Sequence, residues 1–162
     1  MPIFNTNNKN KDMEVAAPVI EVRYKTSIKM SERPKISNSE DAYNMVGKVD
    51  EMLQNLDYKE LFYAIYLNQD NRVLACHKIS EGSVNCTHVD IKFIMQGAIM
   101  TNASALIICH NHPSGNLRPS KEDIKLTKRV RECSEMFGVR MLDSIVISSD
   151  GYYSLSDNLD LI

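Results

Sequence analysis

The feature that most constrains the fold of this chain is a short apolar run, residues 105–109, which leads directly into two histidines. The run reads Ala-Leu-Ile-Ile-Cys, and it is followed by His110, Asn111 and His112. A continuous apolar run of this length is typical of a fully buried strand. Side chains in a strand alternate between its two faces, so the two imidazoles point the same way and can share one metal ion. The sequence therefore predicts a buried strand that ends in a pair of metal ligands.

Ser120 and Asp123 follow at a short interval and complete the pattern. Two imidazoles and one carboxylate leave a fourth tetrahedral position open, which is typical of catalytic rather than structural zinc. The same Ser-x-x-Asp spacing, just after Pro119, is close to a capping box at the start of a helix. We expect both interpretations to hold, because Ser120 can begin a helix and still present its hydroxyl to a substrate. Cys109 is also a possible ligand, but alternation sends its side chain away from His110, so we assign it to the core.

Other metal chemistries fit this spacing less well. The His-Glu-x-x-His of helical zinc proteases is absent. A zinc deaminase needs His-x-Glu and a later Pro-Cys-x-x-Cys, whereas His110 is followed two residues later by His112, and no Cys-x-x-Cys occurs. The contiguous letters His-Asn-His do not make an HNH nuclease, whose three residues are dispersed through a ββα metal finger. Deamination is therefore disfavoured.

The spacing of the two histidines, Pro113, Ser120 and Asp123 resembles the JAMM (MPN/JAB) metalloprotease motif in every position. The local runs His110–Gly115 and Pro119–Asp123 are more particular and resemble the RadC branch of that superfamily. The likeness extends from about Ser37 to about Leu155. It includes the strand pair 61–68 and 72–74 and the closing segment 142–147.

The resemblance implies an α/β (α+β) fold in which a mixed β-sheet is flanked by helices, in the three-layer JAB/MPN-like architecture that cytidine deaminases share. The interleaving of strands and helices without a strict βαβ repeat agrees with a mixed sheet. Full-length RadC proteins also have an N-terminal helix-hairpin-helix region. The residues before Ser37 are too few to contain it, so we expect a short form, similar to the JAB-domain proteins of mobile elements.

The resemblance also implies a general base and a donor to the oxyanion. In the JAMM family the base is a glutamate that precedes a strand after the first helix, and Glu60 matches that place. Glu81, in the loop-like run Ile79–Ser83, is the alternative. Ser120 would donate to the oxyanion. The implied ligands of Zn²⁺ are His110, His112 and Asp123.

We expect three segments along the chain. Residues 1–18 are rich in Asn and Lys and predict a disordered tail. Residues 19–36 form an extended segment, in which Val19–Tyr24 alternates like a strand that could pair with a partner chain or cover the chain's own sheet edge. Residues 37–162 form the RadC-like JAB/MPN domain.

The hydrophobic periodicity predicts the elements of that domain. Leu53, Ile99 and Phe137 fall on the apolar stripes of their helices and are expected to point inward. The expected helices are Ser37–Leu56, begun by a capping box of Ser37 and Glu40, Asp90–Thr101 and Ser120–Phe137. The expected strands are Glu60–Asn68, Asn71–Ile79 after a turn at Gln69 and Asp70, the run before His110, Arg140–Ser148, and Tyr152–Leu155 after a turn at Asp150 and Gly151.

Composition narrows the remaining possibilities. A chain of 162 residues with 43% hydrophobic content can bury one core, so we expect one domain. No apolar run of eighteen residues and no signal-peptide pattern occurs, which predicts a cytoplasmic protein without a membrane span. The four scattered cysteines, Cys76, Cys86, Cys109 and Cys133, suit reduced core residues better than disulfides.

The net charge of −2 weighs against a dedicated nucleic-acid binder. Local basic clusters are the exception, although charge on a helix is usually only its solvated face. They comprise Lys121, Lys125, Lys128, Arg129 and Arg131 on the last helix, and Lys25, Lys29, Arg33 and Lys35 before the domain.

Two functions of different classes remain open. The first is a zinc-dependent hydrolase in which activated water attacks an amide or isopeptide bond of a peptide or protein substrate. The alternative is a RadC-like DNA-repair or mobile-element accessory protein that binds nucleic acid or a partner, and a metal-dependent nuclease is a third possibility. The oligomeric state is open.

Overall fold

The structure is a computed structural model, which describes residues 21, 23–82 and 89–158. Its described part contains helices and strands in alternation, preceded by a short 3₁₀ turn at Met30–Glu32. The helices are α1 (Ser39–Val46), α2 (Asp50–Asn55), α3 (Ile91–Thr101) and α4 (Lys121–Met136). The strands are β1 (Leu61–Leu67), β2 (Val73–Glu81), β3 (Ala105–Asn111), β4 (Arg140–Ser148) and β5 (Gly151–Ser154).

The strands form one sheet in the order β2-β1-β3-β4-β5. The pair β3 and β4 is parallel, because α4 carries the chain from the end of one strand back to the start of the other. The pairs β1 with β2, β1 with β3, and β4 with β5 are antiparallel. A mixed sheet with flanking helices confirms the predicted α/β architecture.

The centre of the sheet is buried on both faces. Every side chain of β1 and β3 is buried. One face packs on α1 and α2, for example through Val46 and Met52, and the other packs on α3 and α4 through Ile94 and Val130. Each fully buried aliphatic side chain contributes about 2 kcal/mol. The sheet is therefore the middle of three layers, and β3, which leads into the histidine pair, is held between the two helix layers.

The first predicted helix is divided in two. Asn38, not Ser37, caps α1: its side chain accepts from the backbone N–H of Asp41, so the predicted capping box of Ser37 and Glu40 is wrong. Gly47 ends α1, since glycine is a weak helix former, and Val49 is extended before α2 begins. Because of this break, the apolar residues of α1 and α2 no longer lie on one continuous helix face. Leu53, predicted to point inward, is 52% exposed.

The other elements lie close to their predicted bounds. The β1–β2 hairpin turns where predicted, with Asn71 in the left-handed conformation at φ 56°. Asp90 caps α3 at its start, and Asn102 ends it at φ 52°. The helix stripes were only partly right, because Ile99 and Phe137, predicted to point inward, are each 54% exposed.

The segment before the domain contacts the outer strand β2. Glu21, Arg23 and Tyr24 are not in a strand, so the predicted strand Val19–Tyr24 is wrong for the residues that the structure describes. The Tyr24 hydroxyl donates to the carbonyl of Leu74, and Lys35 forms an isolated bridge with Arg72. Residues 1–18 and Cys86 lie outside the described residues.

The described cysteines differ in exposure. Cys109 is buried among the residues packed on α1 and α2, as alternation predicted, and Cys133 is partly buried. Cys76 is exposed on β2, so its predicted core position is wrong. Among the helices of the described residues, none is both long and apolar enough to cross a lipid bilayer.

Candidate metal centre

The side chains of His110, His112 and Asp123 converge at one point of the molecule. The two imidazole Nε2 atoms lie 3.0 Å apart. The Nε2 atom of His110 lies 3.3 Å from Oδ1 of Asp123, and that of His112 lies 3.4 Å from Oδ2. Each residue offers one donor atom, and these atoms lie within 4.8 Å of one another. Two imidazole nitrogens and one carboxylate oxygen are a donor set that suits zinc, so the residues present fit that ion.

The fold brings these residues together through the parallel connection between β3 and β4. His110 lies in β3, and His112 extends the same pairing by donating its backbone N–H to the carbonyl of Ile147 at 2.9 Å. The loop from Pro113 to Pro119 then turns into α4, with Gly115 at φ 78°, a conformation that favours glycine. The first turn of α4 therefore stands over the end of β3.

Hydrogen bonds from the backbone orient two of the three side chains. Nδ1 of His112 lies 2.6 Å from the carbonyl oxygen of Asn116, so it carries the proton and leaves Nε2 free to act as a ligand. The backbone N–H of Ser120 donates to Oδ2 of Asp123 at 2.6 Å, and the Ser120 hydroxyl accepts from the backbone N–H of Asp123 at 3.1 Å. The predicted capping box is confirmed, and it also orients the Asp123 carboxylate.

His110 is held by packing instead. Its side chain is buried, and its ring stacks on Phe62 with centroids 5.8 Å apart and planes 12° from parallel. Nδ1 of His110 has no hydrogen-bond partner among the described residues. Sequence reasoning missed Phe62, although its register position opposite His110 follows once the two strands are paired.

The electrostatics of the cluster keep the Asp123 carboxylate negative and favour a positive charge on His112. Burial raises the pKa of Asp123, but hydrogen bonds with His110 and His112 outweigh it, so the pKa lies well below its usual range. The hydrogen bond to Asp123 raises the pKa of His112 against the effect of burial, and the charges of Asp123 and Glu60 raise it further. The site therefore favours a positive charge close to Asp123.

Glu60 and Glu81, the two candidate bases, occupy different surroundings. Glu60 is half-buried directly before β1, and its carboxylate is close enough to His112 for its charge to raise the pKa of the imidazole. Glu81 is exposed on β2 and pairs with Lys59 and with Lys78, the latter at 2.9 Å, and these lysines hold its pKa below the usual value. The charge of Glu60 thus acts on the cluster, whereas Glu81 belongs to a surface network of ion pairs.

Asn111 is a second residue near the site that sequence reasoning overlooked. It is fully buried on the face of β3 opposite the two histidines, and its side chain lies within hydrogen-bond distance of four backbone groups around the junction of α2 and β1. A buried amide at the end of an apolar strand needs partners, which is the signal that could have pointed to it.

Two other surfaces of the molecule are large enough to bind a partner. The predicted basic cluster on α4 is largely exposed, but Arg131 pairs with Glu135 at 3.1 Å, and Glu122 and Glu132 are interspersed. A large apolar groove, about 1150 Å³, lies away from the histidine cluster along α3 and α4. Its walls include Phe93, Ile99, Met136 and Phe137.

A three-layer fold with a His-x-His strand facing the first turn of a helix defines a JAB-type domain. Residues 36–160 match the family described as the RadC-like JAB domain, and the chain belongs to that family.

The curated relatives are bacterial proteins named UPF0758. One from Porphyromonas gingivalis is 37% identical over 132 residues, covering 81% of this chain and 56% of the relative. One from Desulforudis audaxviator is 41% identical over 123 residues, covering 76% and 52%. One from Clostridium acetobutylicum is 39% identical over 129 residues, covering 80% and 55%. The chain thus spans about half the length of these relatives, whose shared name states no activity.

Proposed function

We propose that this chain is a zinc-dependent hydrolase that cleaves amide or isopeptide bonds of a peptide or protein substrate. The observation that carries the proposal is the convergence of His110, His112 and Asp123. The charge of Glu60, which acts on His112, supports it. Membership of the RadC-like JAB family supports it.

The three converging side chains would hold the ion, and the protein's own groups would move the proton. Zinc bound there would supply Lewis-acid activation of a water molecule near neutral pH. Glu60 would take the proton from the attacking water and return it to the leaving nitrogen, and the effect of its charge on the pKa of His112 supports this role.

Ser120 would stabilise the oxyanion that forms when water adds to the carbonyl. Its hydroxyl oxygen accepts from the backbone N–H of Asp123, which leaves the O–H hydrogen free to donate to substrate. The residue is exposed at the first turn of α4, next to the cluster. A donor at such a position is worth about 3 kcal/mol of transition-state stabilisation.

A second candidate function is that of a DNA-repair or mobile-element accessory protein, or a metal-dependent nuclease. The exposed cations of α4, among them Lys125 and Lys128, favour it. The acidic residues between them and the net charge of −2 weigh against it. We therefore place hydrolysis of amide bonds first.

The test is to measure zinc and hydrolysis together on the full chain, purified without chelator or a metal-binding tag. We expect about one zinc per chain by plasma mass spectrometry, and cleavage of fluorogenic peptides or isopeptide-linked lysines that stops with phenanthroline and returns with zinc. Cleavage of labelled DNA under the same conditions would favour the nuclease alternative. A protein that takes up no zinc even after its addition would overturn the proposal.

A further inference from the structure

We infer that Asn111 is a positioning residue for Glu60, so that the strand which carries the two histidines also sets the place of the base. The inference rests on the proposed function, because it assigns Asn111 a role through the proposed general base. Asn111 touches neither the Asp123 carboxylate nor the facing imidazole nitrogens, since strand alternation directs it to the other face of β3.

The Asn111 side chain is hydrogen-bonded to the backbone of both neighbours of Glu60. Its Oδ1 accepts from the backbone N–H of Leu61 at 2.7 Å, and its Nδ2 donates to the carbonyl of Lys59 at 2.8 Å. The carbonyl of Glu60 itself accepts from the backbone N–H of Gly82 at 2.9 Å. The peptide groups before and after Glu60 are thereby tied to neighbouring chain, which leaves its side chain as the free part of the residue.

The same amide also holds the end of α2. Nδ2 of Asn111 lies 2.9 Å from the carbonyl of Leu56 and 3.2 Å from that of Asn55. Carbonyls at a helix C-terminus have no partner within the helix and need one outside it. The carbonyl of Asn55 also accepts from the backbone N–H groups of Tyr58 and Lys59. The Asn111 side chain of β3 therefore contacts both ends of the segment that connects α2 to β1.

Because Asn111 is bonded to both histidines, its contacts also relate the position of Glu60 to that of the two imidazoles. Asn111 lies between His110 and His112 in sequence, so any shift of its backbone moves the imidazoles with it. A short, fully buried side chain with its amide saturated permits little relative motion. The pairing of β1 with β3 brings Glu60 near the histidine pair, and the side chain of Asn111 fixes the backbone on both sides of Glu60.

A role in positioning predicts effects that a role in stability alone does not. Asn111→Asp keeps the shape and the acceptor for Leu61, but it removes the donor to Lys59 and to the end of α2. Asn111→Ser removes both the amide donor and the acceptor for Leu61 without adding charge, because its shorter side chain carries only a hydroxyl. Asn68→Ser is the matched control, because Asn68 accepts from the backbone of Asp70 and Arg72 at the opposite end of β1.

The experiment compares these full-length variants with Glu60→Gln in two measurements. The first is steady-state hydrolysis with zinc content, and we expect kcat to fall about 100-fold in the Asn111 variants while KM and zinc per chain stay near wild type. The second is the absorption spectrum of the cobalt-loaded proteins. There we expect the Asn111 variants to reproduce the change caused by Glu60→Gln, and Asn68→Ser to match wild type in both measurements.

The outcomes separate the inference from the proposed function. A wild type without hydrolysis, whose cobalt spectrum does not respond to Glu60→Gln, would overturn the proposed function and with it the role of Asn111. Folded, zinc-loaded Asn111 variants with wild-type kcat or a wild-type cobalt spectrum would overturn the inference alone. Loss of zinc or of the folded state in both Asn111 variants would also overturn it, because Asn111 would then serve the fold and not Glu60.

Discussion

Ser120 and Asp123 are joined by two reciprocal hydrogen bonds, in which the backbone of each residue donates to the side chain of the other at 2.6 and 3.1 Å. The pair is at once a helix cap and part of the candidate site. The Asp123 carboxylate is therefore oriented by a backbone N–H that no substitution of Ser120 by another non-proline residue removes.

Ser120→Ala should separate the two roles of this residue. It should lower the free energy of unfolding by about 1 kcal/mol, because the N-cap acceptor is lost. Zinc content should be unchanged, since the bond from the Ser120 backbone to Asp123 persists. We expect kcat to fall roughly 100- to 1000-fold as the oxyanion loses its donor. Ser120→Thr, which keeps a hydroxyl, is the control, and an Ala variant with full kcat would remove Ser120 from the mechanism.

Zinc binding should depend on the histidine pair and not on histidine in general. We expect His112→Ala to lose the ion in mass-spectrometric metal analysis, because one of the three converging donors is gone. His77→Ala is the matched control, since His77 is exposed on the outer strand β2. Equal zinc in both variants would contradict the assignment of the site.

Substitution of the two candidate bases, Glu60 and Glu81, should have very different effects on kcat. Glu60→Gln removes proton transfer and should lower kcat by about 100-fold to 10,000-fold with zinc retained. Glu81→Gln should leave kcat near wild type, because the Glu81 carboxylate pairs with Lys59 and Lys78 on the surface. Parallel kcat measurements on zinc-loaded protein decide between them, and the reverse ranking would make Glu81 the base.

Stability should depend on pH through Asp143. Burial raises the pKa of this carboxyl above that of the unfolded chain, against hydrogen bonds from Ser154, Ser156 and Ser144. The folded state therefore binds the proton more tightly, so this contribution to stability is complete below the unfolded pKa of about 3.9 and is lost as pH rises through the folded value.

Denaturant unfolding followed by circular dichroism, from about pH 4 to about pH 7, tests this for wild type and Asp143→Asn. The free energy of unfolding of wild type should fall relative to that of the variant as pH rises, by on the order of 1 kcal/mol per unit of pKa shift. Other carboxylates act in both proteins and cancel in the difference. A difference that grows in favour of wild type with rising pH would contradict the prediction.

The exposed cations of α4 should matter only if the chain binds nucleic acid. Under the proposed function, charge reversal by Lys125→Glu or Lys128→Glu leaves zinc-dependent hydrolysis unchanged, because both side chains are exposed. Fluorescence anisotropy with a labelled duplex at low and high salt measures the alternative. Lys48→Glu, at the junction of α1 and α2, is the control for charge alone. DNA binding that is lost in the α4 variants and kept in Lys48→Glu would favour the accessory-protein function.

The local patterns of the sequence were sufficient for most of the fold. Strand alternation put His110 and His112 on one face and Cys109 on the other, and the Ser-x-x-Asp spacing predicted the cap of α4, because these relationships depend on backbone periodicity. The helix stripes were the exception. The interruption of the first predicted helix at Gly47 and the exposure of Leu53, Ile99 and Phe137 depend on which part of each apolar stripe meets the sheet.

The sequence by itself therefore determined which candidate ligands and bases are present. It also determined their order along the two strands and the helix that carry them. Only the tertiary structure decided that the charge of Glu60 acts on His112 while Glu81 pairs with Lys59 and Lys78, and that Asn111 joins β3 to the junction of α2 and β1. The reason is that periodicity acts between residues a few positions apart, whereas Glu60 and Asn111 are 51 positions apart. Their meeting depends on how β1 and β3 pair, and that pairing is determined by the packing of two hydrophobic cores against one sheet.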